Sequence, residues 1–246
     1  MKNIRYSGIF IKYVILIFCF FSCGWFGRED GEKDFNLTFF ATPQKDRLPY
    51  FRGSDLEVFW MEGDQQLPTN VRKVDPFTFQ NQLGQSIDES HFKGKITIVS
   101  FFFAKCHGLC PNIIRNLKFV QSEITKRKDI QIVSYSVTPD LDNPLELKKF
   151  AEEKGIYSQY WNLLTGDREK VFDLARNTFQ ADTNTTNKNP KKDFVHSEQI
   201  FLIGPDLHFR GIYNGNRGES IKTMLEDIKL LMRELPTNKQ QTPSKI

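Results

Sequence analysis

Cysteine is scarce in this chain, and its scarcity narrows the chemistry available. The 246 residues include four cysteines. Cys19 lies in an N-terminal apolar segment, and Cys23 lies at the end of that segment. Only Cys106 and Cys110 therefore belong to the body of the protein. A single disulfide between these two would close a short loop. It would stabilise the fold little, because the entropy that a disulfide removes from the unfolded chain grows with loop length. A purely structural role for the pair is therefore not favoured.

An excess of charge of one sign is also missing. Lysine and arginine number 34 against 30 acidic residues, which gives a formal charge of +4. Lys2, Arg5 and Lys12 in the N-terminal segment account for most of that excess, so no basic footprint for nucleic acid is left. The sequence contains no phosphate loop, nucleotide fingerprint, nucleophilic serine motif or internal repeat. Nucleic acid is not a predicted partner.

Long hydrophobic runs are lacking as well. The apolar stretch Tyr13–Phe21 follows a basic start and is shorter than the roughly 20 residues of a membrane-spanning helix. We interpret residues 1–22 as a signal peptide of the lipoprotein type. Phe20-Phe21-Ser22-Cys23 is similar to a lipobox, although leucine is usual where Phe20 stands, so Cys23 is the predicted lipidation site. An uncleaved apolar anchor is the alternative. Both alternatives predict an extracytoplasmic, membrane-anchored protein, in the periplasm if the cell is bacterial.

The remaining chain is predicted to form one compact domain. Residues 23–46 are polar and charged and are interpreted as a tether. The domain covers 47–236, with an aromatic N-terminal extension and then a β-hairpin signal over Phe77–Ile87. Residues 237–246 form a polar tail.

Hydrophobic periodicity predicts alternating strands and helices in this domain. Strands are expected at Ile96–Phe103, Ile130–Ser136, Trp161–Leu164, Gln199–Ile203 and His208–Tyr213; helices are expected from Pro111 to Ile124, over Pro144–Lys154, over Val171–Phe179 and from Ile221 to Leu235. The polar stretch Gln180–Asp193 is expected to be a loop. The order β-α-β-α-β-α-β-β-α predicts an α/β protein with a thioredoxin-like fold.

The two cysteines lie where a predicted strand ends and a predicted helix begins. Backbone N–H groups and the positive end of the helix dipole favour thiolate there, so at least one of Cys106 and Cys110 is expected to have a lowered pKa. The pair can form a disulfide, act as a redox couple that is kept reduced, or bind a metal ion. The spacer has three residues, where common thioredoxin-like oxidoreductases have two, which leaves room for a metal.

A histidine 90 residues after the first cysteine favours the metal. His196 directly precedes a strand that is expected to return to the middle of the sheet, where oxidoreductases of this fold usually carry a cis-proline. An imidazole at that place can complete a set with Cys106 and Cys110. Two thiolates and one imidazole suit Cu(I), and they can hold Cu(II) with a further ligand.

These motifs together resemble the Sco/SenC family of copper-binding, thioredoxin-like proteins that serve cytochrome c oxidase assembly. The resemblance covers roughly residues 77–235 and rests on Cys106-x-x-x-Cys110-Pro111, Leu163-Leu164-Thr165-Gly166, Val195-His196-Ser197 and Ile203-Gly204-Pro205-Asp206. It implies that Cys106, Cys110 and His196 are copper ligands. It also implies a metallochaperone whose partner is the copper-accepting subunit of an oxidase or another cuproprotein.

Two other functions use the same fold. A thiol–disulfide oxidoreductase would employ Cys106 as the attacking thiol and Cys110 as the resolving one, so that enzymatic reduction of partner cysteines is the alternative to a chaperone role. A peroxidase is disfavoured, because the pattern Pro-x-x-x-Thr/Ser-x-x-Cys is missing before Cys106. Metal binding should need His196, whereas disulfide exchange should not.

The chain departs from the family near the cysteines. His107 stands where proline is common, Lys105 where threonine is frequent, and Thr138-Pro139 where Asp-Pro is usual. Lys105 and His107 can each favour thiolate electrostatically. His107 is interpreted as a spacer, with a role as an additional ligand left open.

The other titratable residues singled out are assigned to the fold. His91 is predicted to lie on the surface, and His208 is predicted to be structural. Asp140 and Asp142 follow the second central strand and are interpreted as turn and cap residues.

Overall fold

The computed structural model describes residues 46–61, 66–105, 110–181 and 198–234. Several predictions fall outside these ranges and are not tested by the structure: the signal peptide, Cys23, the tether up to residue 45, Cys106, His107, His196 and the tail at 237–246. In the described part of the chain, no helix is both long enough and apolar enough to cross a membrane.

The described residues form short strands and helices in the predicted alternation. The strands are β1 Tyr50–Arg52, β2 Glu57–Phe59, β3 Thr78–Asn81, β4 Ser86–Asp88, β5 Ile96–Phe102, β6 Ile130–Ser136, β7 Trp161–Thr165, β8 Gln199–Ile203 and β9 Phe209–Asn214. The α-helices are α1 Cys110–Ile124, α2 Pro144–Lys154, α3 Arg168–Asp173 and α4 Gly218–Glu234. A short 3₁₀ helix covers Glu89–Phe92, and a π-helical turn, Leu174–Thr178, continues α3.

Seven of the described strands form one mixed sheet in the order β4-β3-β7-β6-β5-β8-β9. Strands β5, β6 and β7 are parallel, while β8 and β3 run antiparallel to their neighbours β5 and β7. Each parallel pair is joined through a helix, as parallel strands require. The predicted hairpin is confirmed as β3 and β4. The predicted α/β class is confirmed, and the N-terminal extension contributes the separate pair β1–β2.

One face of the main sheet, called here the helical face, is covered by α1, α2 and α4. Apolar residues at helical spacing, such as Ile113, Leu117 and Val120 of α1, pack against Ile98 and Ile132 of the central strands. Strands β5 and β6 are buried along their whole length, as expected for a sheet with both faces covered.

The opposite face, called here the aromatic face, is covered by α3, its π-helical turn and the N-terminal extension. Phe101 and Tyr135 of the sheet stack with their ring centroids 5.3 Å apart. Phe179, which follows the π-helical turn, is fully buried beside both rings. The predicted helix over Val171–Phe179 is therefore only partly right. It begins at Arg168, because Asp167 caps it, and it ends in a wider turn.

A buried ion pair holds the N-terminal extension to the last helix. Arg210 of β9 pairs with Glu234 of α4 and donates to the carbonyl oxygens of Leu48 and Pro49, each at 3.0 Å. The Leu48 N–H donates to Glu234. The Arg210 guanidinium carbon lies 4.1 Å from the centre of the Tyr50 ring. The charges of this pair are thus satisfied on both sides, as burial requires.

Candidate metal centre

The described part of the candidate site lies at the end of the sheet where β5 and β6 terminate. Helix α1 begins with Cys110, whose residue surface is 5% exposed. Pro111 follows in the first turn, where a missing N–H costs nothing and the fixed backbone angle suits a helix. The structure therefore confirms that Cys110 stands at the start of the helix after β5. Its predicted partners Cys106 and His196 lie outside the described residues.

Buried serines connect the strands beneath α1. Ser100 of β5 and Ser134 of β6 lie side by side, with their hydroxyl oxygens 2.7 Å apart. The indole N–H of Trp161 on β7 donates to Ser134 Oγ at 2.8 Å. All three residues are almost fully buried, so this polar chain is well satisfied and fixes the spacing of the three parallel strands.

A buried carboxylate ties the end of β5 to the loop after β6. Asp142, 1% exposed, accepts hydrogen bonds from Ser136 Oγ at 2.6 Å and Thr138 Oγ1 at 2.8 Å. It also accepts one from the backbone N–H of Ala104 at 3.4 Å. Ala104 lies two residues before Cys106, so Asp142 positions the backbone that leads into the cysteine motif.

The interpretation of Asp142 as a cap is corrected by this geometry. The cap of α2 is Asn143, whose side chain accepts the Glu146 N–H at 3.1 Å. Asp140 pairs instead with Arg168 at 2.8 Å on the surface. The role of Asp142 was missed because one of its donors, the Ala104 N–H, lies 38 residues away in the chain. The only signal in the sequence was an acid in a loop at this end of the sheet.

The strand that follows His196 begins at the same end of the sheet. Ile200 of β8 pairs with Ser100 of β5, and the two strands are antiparallel, so the start of β8 lies where β5 ends. Glu198, just before β8, is fixed by two hydrogen bonds. Its carbonyl accepts the Gly215 N–H at 2.6 Å, and its carboxylate accepts from Asn214 Nδ2 at 3.0 Å.

The two described histidines have the predicted roles. His91 lies on the 3₁₀ helix and is exposed, and its Nδ1 is 3.2 Å from a carboxylate oxygen of Asp88 at the end of β4. His208 is largely buried, with Nδ1 2.9 Å from Asp206 and its ring edge-on to Tyr50. Burial alone would raise the pKa of Asp206, but the hydrogen bond and charge of His208 outweigh it and lower that pKa below the usual value. Neither histidine belongs to the cysteine site.

No group of three or more histidine, cysteine, aspartate or glutamate side chains with the geometry of a metal site occurs among the described residues. Of the three predicted ligands, only Cys110 belongs to this part of the chain. The donor set itself, two sulfurs and an imidazole, suits copper.

Comparison with known proteins identifies the family. The family model SCO1/SenC matches residues 65–233. The chain belongs to the SCO1/SenC family. A Bacillus subtilis relative, SCO1 protein homolog, is 31% identical over 173 residues, which cover 68% of this chain and 87% of the relative.

Solved Sco structures share the fold. A SCO1/SenC family lipoprotein from Bacillus anthracis superposes with a TM-score of 0.58 at 29% identity, covering 65% of this chain and 95% of that one. BsSco, a member of the Sco family of cytochrome c oxidase assembly proteins in which a disulfide switch was identified, gives 0.56 at 29%, covering 65% and 93%. Arabidopsis thaliana ScoI, solved with copper bound, gives 0.53 at 23%, covering 65% and 98%. The thioredoxin-like fold is thus confirmed.

Proposed function

We propose that this protein is an extracytoplasmic copper metallochaperone that binds one copper ion through Cys106, Cys110 and His196. The observation that carries the proposal is the start of β8 at the end of the sheet where Cys110 opens α1. His196 lies two residues before Glu198, whose backbone is fixed there. A few residues of chain therefore separate the imidazole from the cysteine end of the sheet.

The ligand set suits a copper ion that must be both held and released. Thiolates bind Cu(I) strongly because both are soft. The imidazole adds a third bond, which can break while the two thiolates still hold the ion. In transfer, thiolates of an acceptor would replace Cys106, Cys110 and His196 one at a time. We propose the copper-accepting subunit of cytochrome c oxidase as the acceptor, which agrees with the role of BsSco as a member of an oxidase assembly family.

A membrane anchor would keep the chaperone beside such an acceptor. We propose lipidation at Cys23, which agrees with the lipoprotein nature of the Bacillus anthracis relative. Cys23→Ala should abolish incorporation of a labelled fatty acid into the protein in the producing cells. Absence of the label from the wild-type protein would instead support the uncleaved apolar anchor.

Thiol–disulfide exchange is the second candidate function, and the disulfide switch in BsSco favours keeping it. In that reaction a Cys106 thiolate would attack a partner disulfide and release one partner thiolate. Cys110 would then attack the mixed disulfide, so that the partner leaves with two thiols and the pair becomes oxidised. No step of this exchange uses His196.

An anaerobic Cu(I) competition titration separates these functions. The reduced full-length chain in detergent should bind one Cu(I), and His196→Ala should weaken binding at least about tenfold, or 1.4 kcal/mol. The double variant Cys106→Ser/Cys110→Ser should lose the site. His91→Ala is the matched control, because His91 is exposed and precedes the start of β5, whereas Cys110 follows the end of that strand. Affinity that is indifferent to His196 would contradict the three-ligand site and favour the reductase.

A further inference from the structure

A groove beside Cys110 lies between α1 and α2 and encloses about 290 Å³. Its apolar lining comes from Phe103 at the end of β5, Ile114 of α1 and Phe150 of α2. Cys110 forms part of the same wall. The volume is near the lower limit of small-molecule pockets, so it suits one or two side chains.

Three cationic side chains complete the lining: Arg115 and Lys118 of α1 and Lys154 of α2. All three are exposed. Arg115 and Lys118 follow Ile114 at spacings of one and four residues, so Ile114 and Lys118 share one face of α1 and Arg115 borders it. Among the described residues that line the groove, none is acidic.

None of the acidic residues of the two helices lines the groove. On α2, Glu146 pairs with Lys149 at 2.8 Å. A hydrogen bond and the charge of Lys149 lower the pKa of Glu146, and Lys105 contributes to the same shift. Glu153 also interacts with Lys149. On α1, Glu123 lies in a different surface groove, shared with α4. The cations beside Cys110 thus form a local positive rim on a protein of nearly balanced charge.

The end of the groove away from Cys110 is fixed by hydrogen bonds between the helices. Gln121 of α1, which is buried, donates to the Gly155 carbonyl at 3.1 Å and accepts the Tyr157 N–H at 2.8 Å. Gly155 ends α2 in the left-handed conformation, with φ of +65°, which glycine adopts without strain. These bonds hold α1 and α2 at a set distance, so the groove is preformed.

We propose that this groove docks an acidic segment, with one or two apolar side chains, of the protein that receives the copper. The proposal rests on the proposed function for the identity of the occupant. The apolar side chains enter between Phe103, Ile114 and Phe150, while flanking carboxylates face the cationic rim. Complementary charges of this kind speed association and set orientation. Because Cys110 lines the groove, docking brings the acceptor next to a proposed copper ligand.

Two labelled peptides of equal length test the groove, one of alternating leucine and glutamate and the other of alternating leucine and lysine. Fluorescence anisotropy with the reduced, copper-free full-length chain in detergent, at about 150 mM salt to screen distant charges, should show binding of the acidic peptide. The variant Arg115→Glu/Lys118→Glu should weaken that binding at least about tenfold. The matched control is Lys222→Glu/Lys229→Glu, with the same charge change on exposed positions of α4, and it should bind within about twofold of the wild type.

Three outcomes would overturn the inference. The leucine–lysine peptide could bind as well as the acidic one, or both double variants could weaken binding equally. Alternatively, sedimentation could show a dimer that only the groove variant dissociates, which would assign the groove to a second copy of the chain. The copper titration is a separate measurement. Failure of the wild type to bind copper, with peptide binding as expected, would overturn the proposed function and leave the preference for acidic segments standing.

Discussion

The two faces of the main sheet hold the candidate site in different ways. The helical face is mainly aliphatic and is built from long helices, and it carries Cys110 at the first position of α1. The aromatic face is built from rings that are distant in sequence. Phe179 lies 5.1 Å from Phe201 and 5.2 Å from Phe209, measured between ring centres.

This difference matters for the proposed ligands. Phe179 and Ala181 immediately precede residues 182–197 and are fully buried, while Phe201 follows that segment on β8. The aromatic face therefore anchors the chain that enters the segment containing His196, whereas β8, where that segment ends, packs into both faces through Phe201 and Ile200. Cys110 belongs to α1 on the helical face. The proposed ligands thus depend on the two faces to different degrees, and each face can be perturbed by its own substitutions.

The largest effect is expected on the aromatic face. Phe179→Ala removes a ring that contacts Phe101, Phe201 and Phe209, and it should lower the free energy of unfolding by about 3–5 kcal/mol. Urea denaturation measures this loss. Phe119→Ala is the control, since Phe119 is 49% exposed on α1, and it should change stability by less than about 0.5 kcal/mol. Equal losses in the two variants would show that the ring cluster is not a core.

A smaller loss is expected where the N-terminal extension joins the last helix. Glu234→Gln leaves the buried Arg210 charge without its carboxylate and should cost about 3 kcal/mol. The control is Glu226→Gln, which breaks the exposed pair with Lys229 and should cost less than about 1 kcal/mol. Differential scanning calorimetry compares the two, and a control that melts as early as Glu234→Gln would refute a special role for the buried pair.

The carboxylate at the site end of the helical face should give a moderate effect. Asp142→Asn replaces an acceptor of three hydrogen bonds by an amide of the same shape and should cost about 1.5 kcal/mol. Asp140→Asn, on the exposed pair with Arg168, is the matched control. Chemical denaturation of both variants checks this expectation. A loss of stability in Asp140→Asn as large as in Asp142→Asn would contradict the stabilising role assigned to the hydrogen bonds of Asp142.

The smallest effect is a pH dependence within the helical face. Burial raises the pKa of Asp227 above its ordinary value of 3.8, and the hydrogen bond from Tyr213 offsets this only in part. The native state therefore holds this proton more tightly than the unfolded chain, so the contribution of Asp227 to stability falls as the pH rises through the interval from 3.8 to the raised pKa. Asp227→Asn should gain stability relative to the wild type over the same rise.

Asp129 is the control for the pH dependence of Asp227, because its pKa is shifted in the opposite direction. The hydrogen bond from Arg127 lowers the pKa of Asp129, so its contribution is present above 3.8 and is lost as the pH falls through the lowered pKa. Asp129→Asn should therefore lose stability relative to the wild type as the pH rises. Urea midpoints of the two variants, measured relative to the wild type across the acid range, should change in opposite directions with pH. The same trend in both variants would contradict the opposite pKa shifts of Asp227 and Asp129.

The helical face was largely predictable because its signals are local. Periodicity placed α2 and the strands β6 and β8 at the bounds that the structure shows. The family resemblance, drawn from a few short motifs, is confirmed by the family model over residues 65–233.

The aromatic face and the surroundings of Cys110 were less predictable because their contacts are long-range. Nothing local to Phe179 indicates a π-helical turn before it, and the presence of 23 phenylalanines in the chain does not say which rings meet. Asp142 was interpreted as a cap because its bond to the Ala104 N–H, 38 residues away in the chain, has no local signal. The groove lies between two helices that are 20 residues apart in sequence, so no window of sequence contains it. Cys106, His196 and Cys23 remain predictions.

X-ray absorption at the copper edge tests the central proposal, that two cysteines and one histidine bind one copper ion. The copper-loaded full-length chain should show two sulfur ligands and one imidazole. Cys110→Ser should lose one sulfur, and His196→Gln should lose the imidazole signal with both sulfurs retained. An imidazole signal that persists in His196→Gln, or a wild-type site without sulfur, would contradict the account.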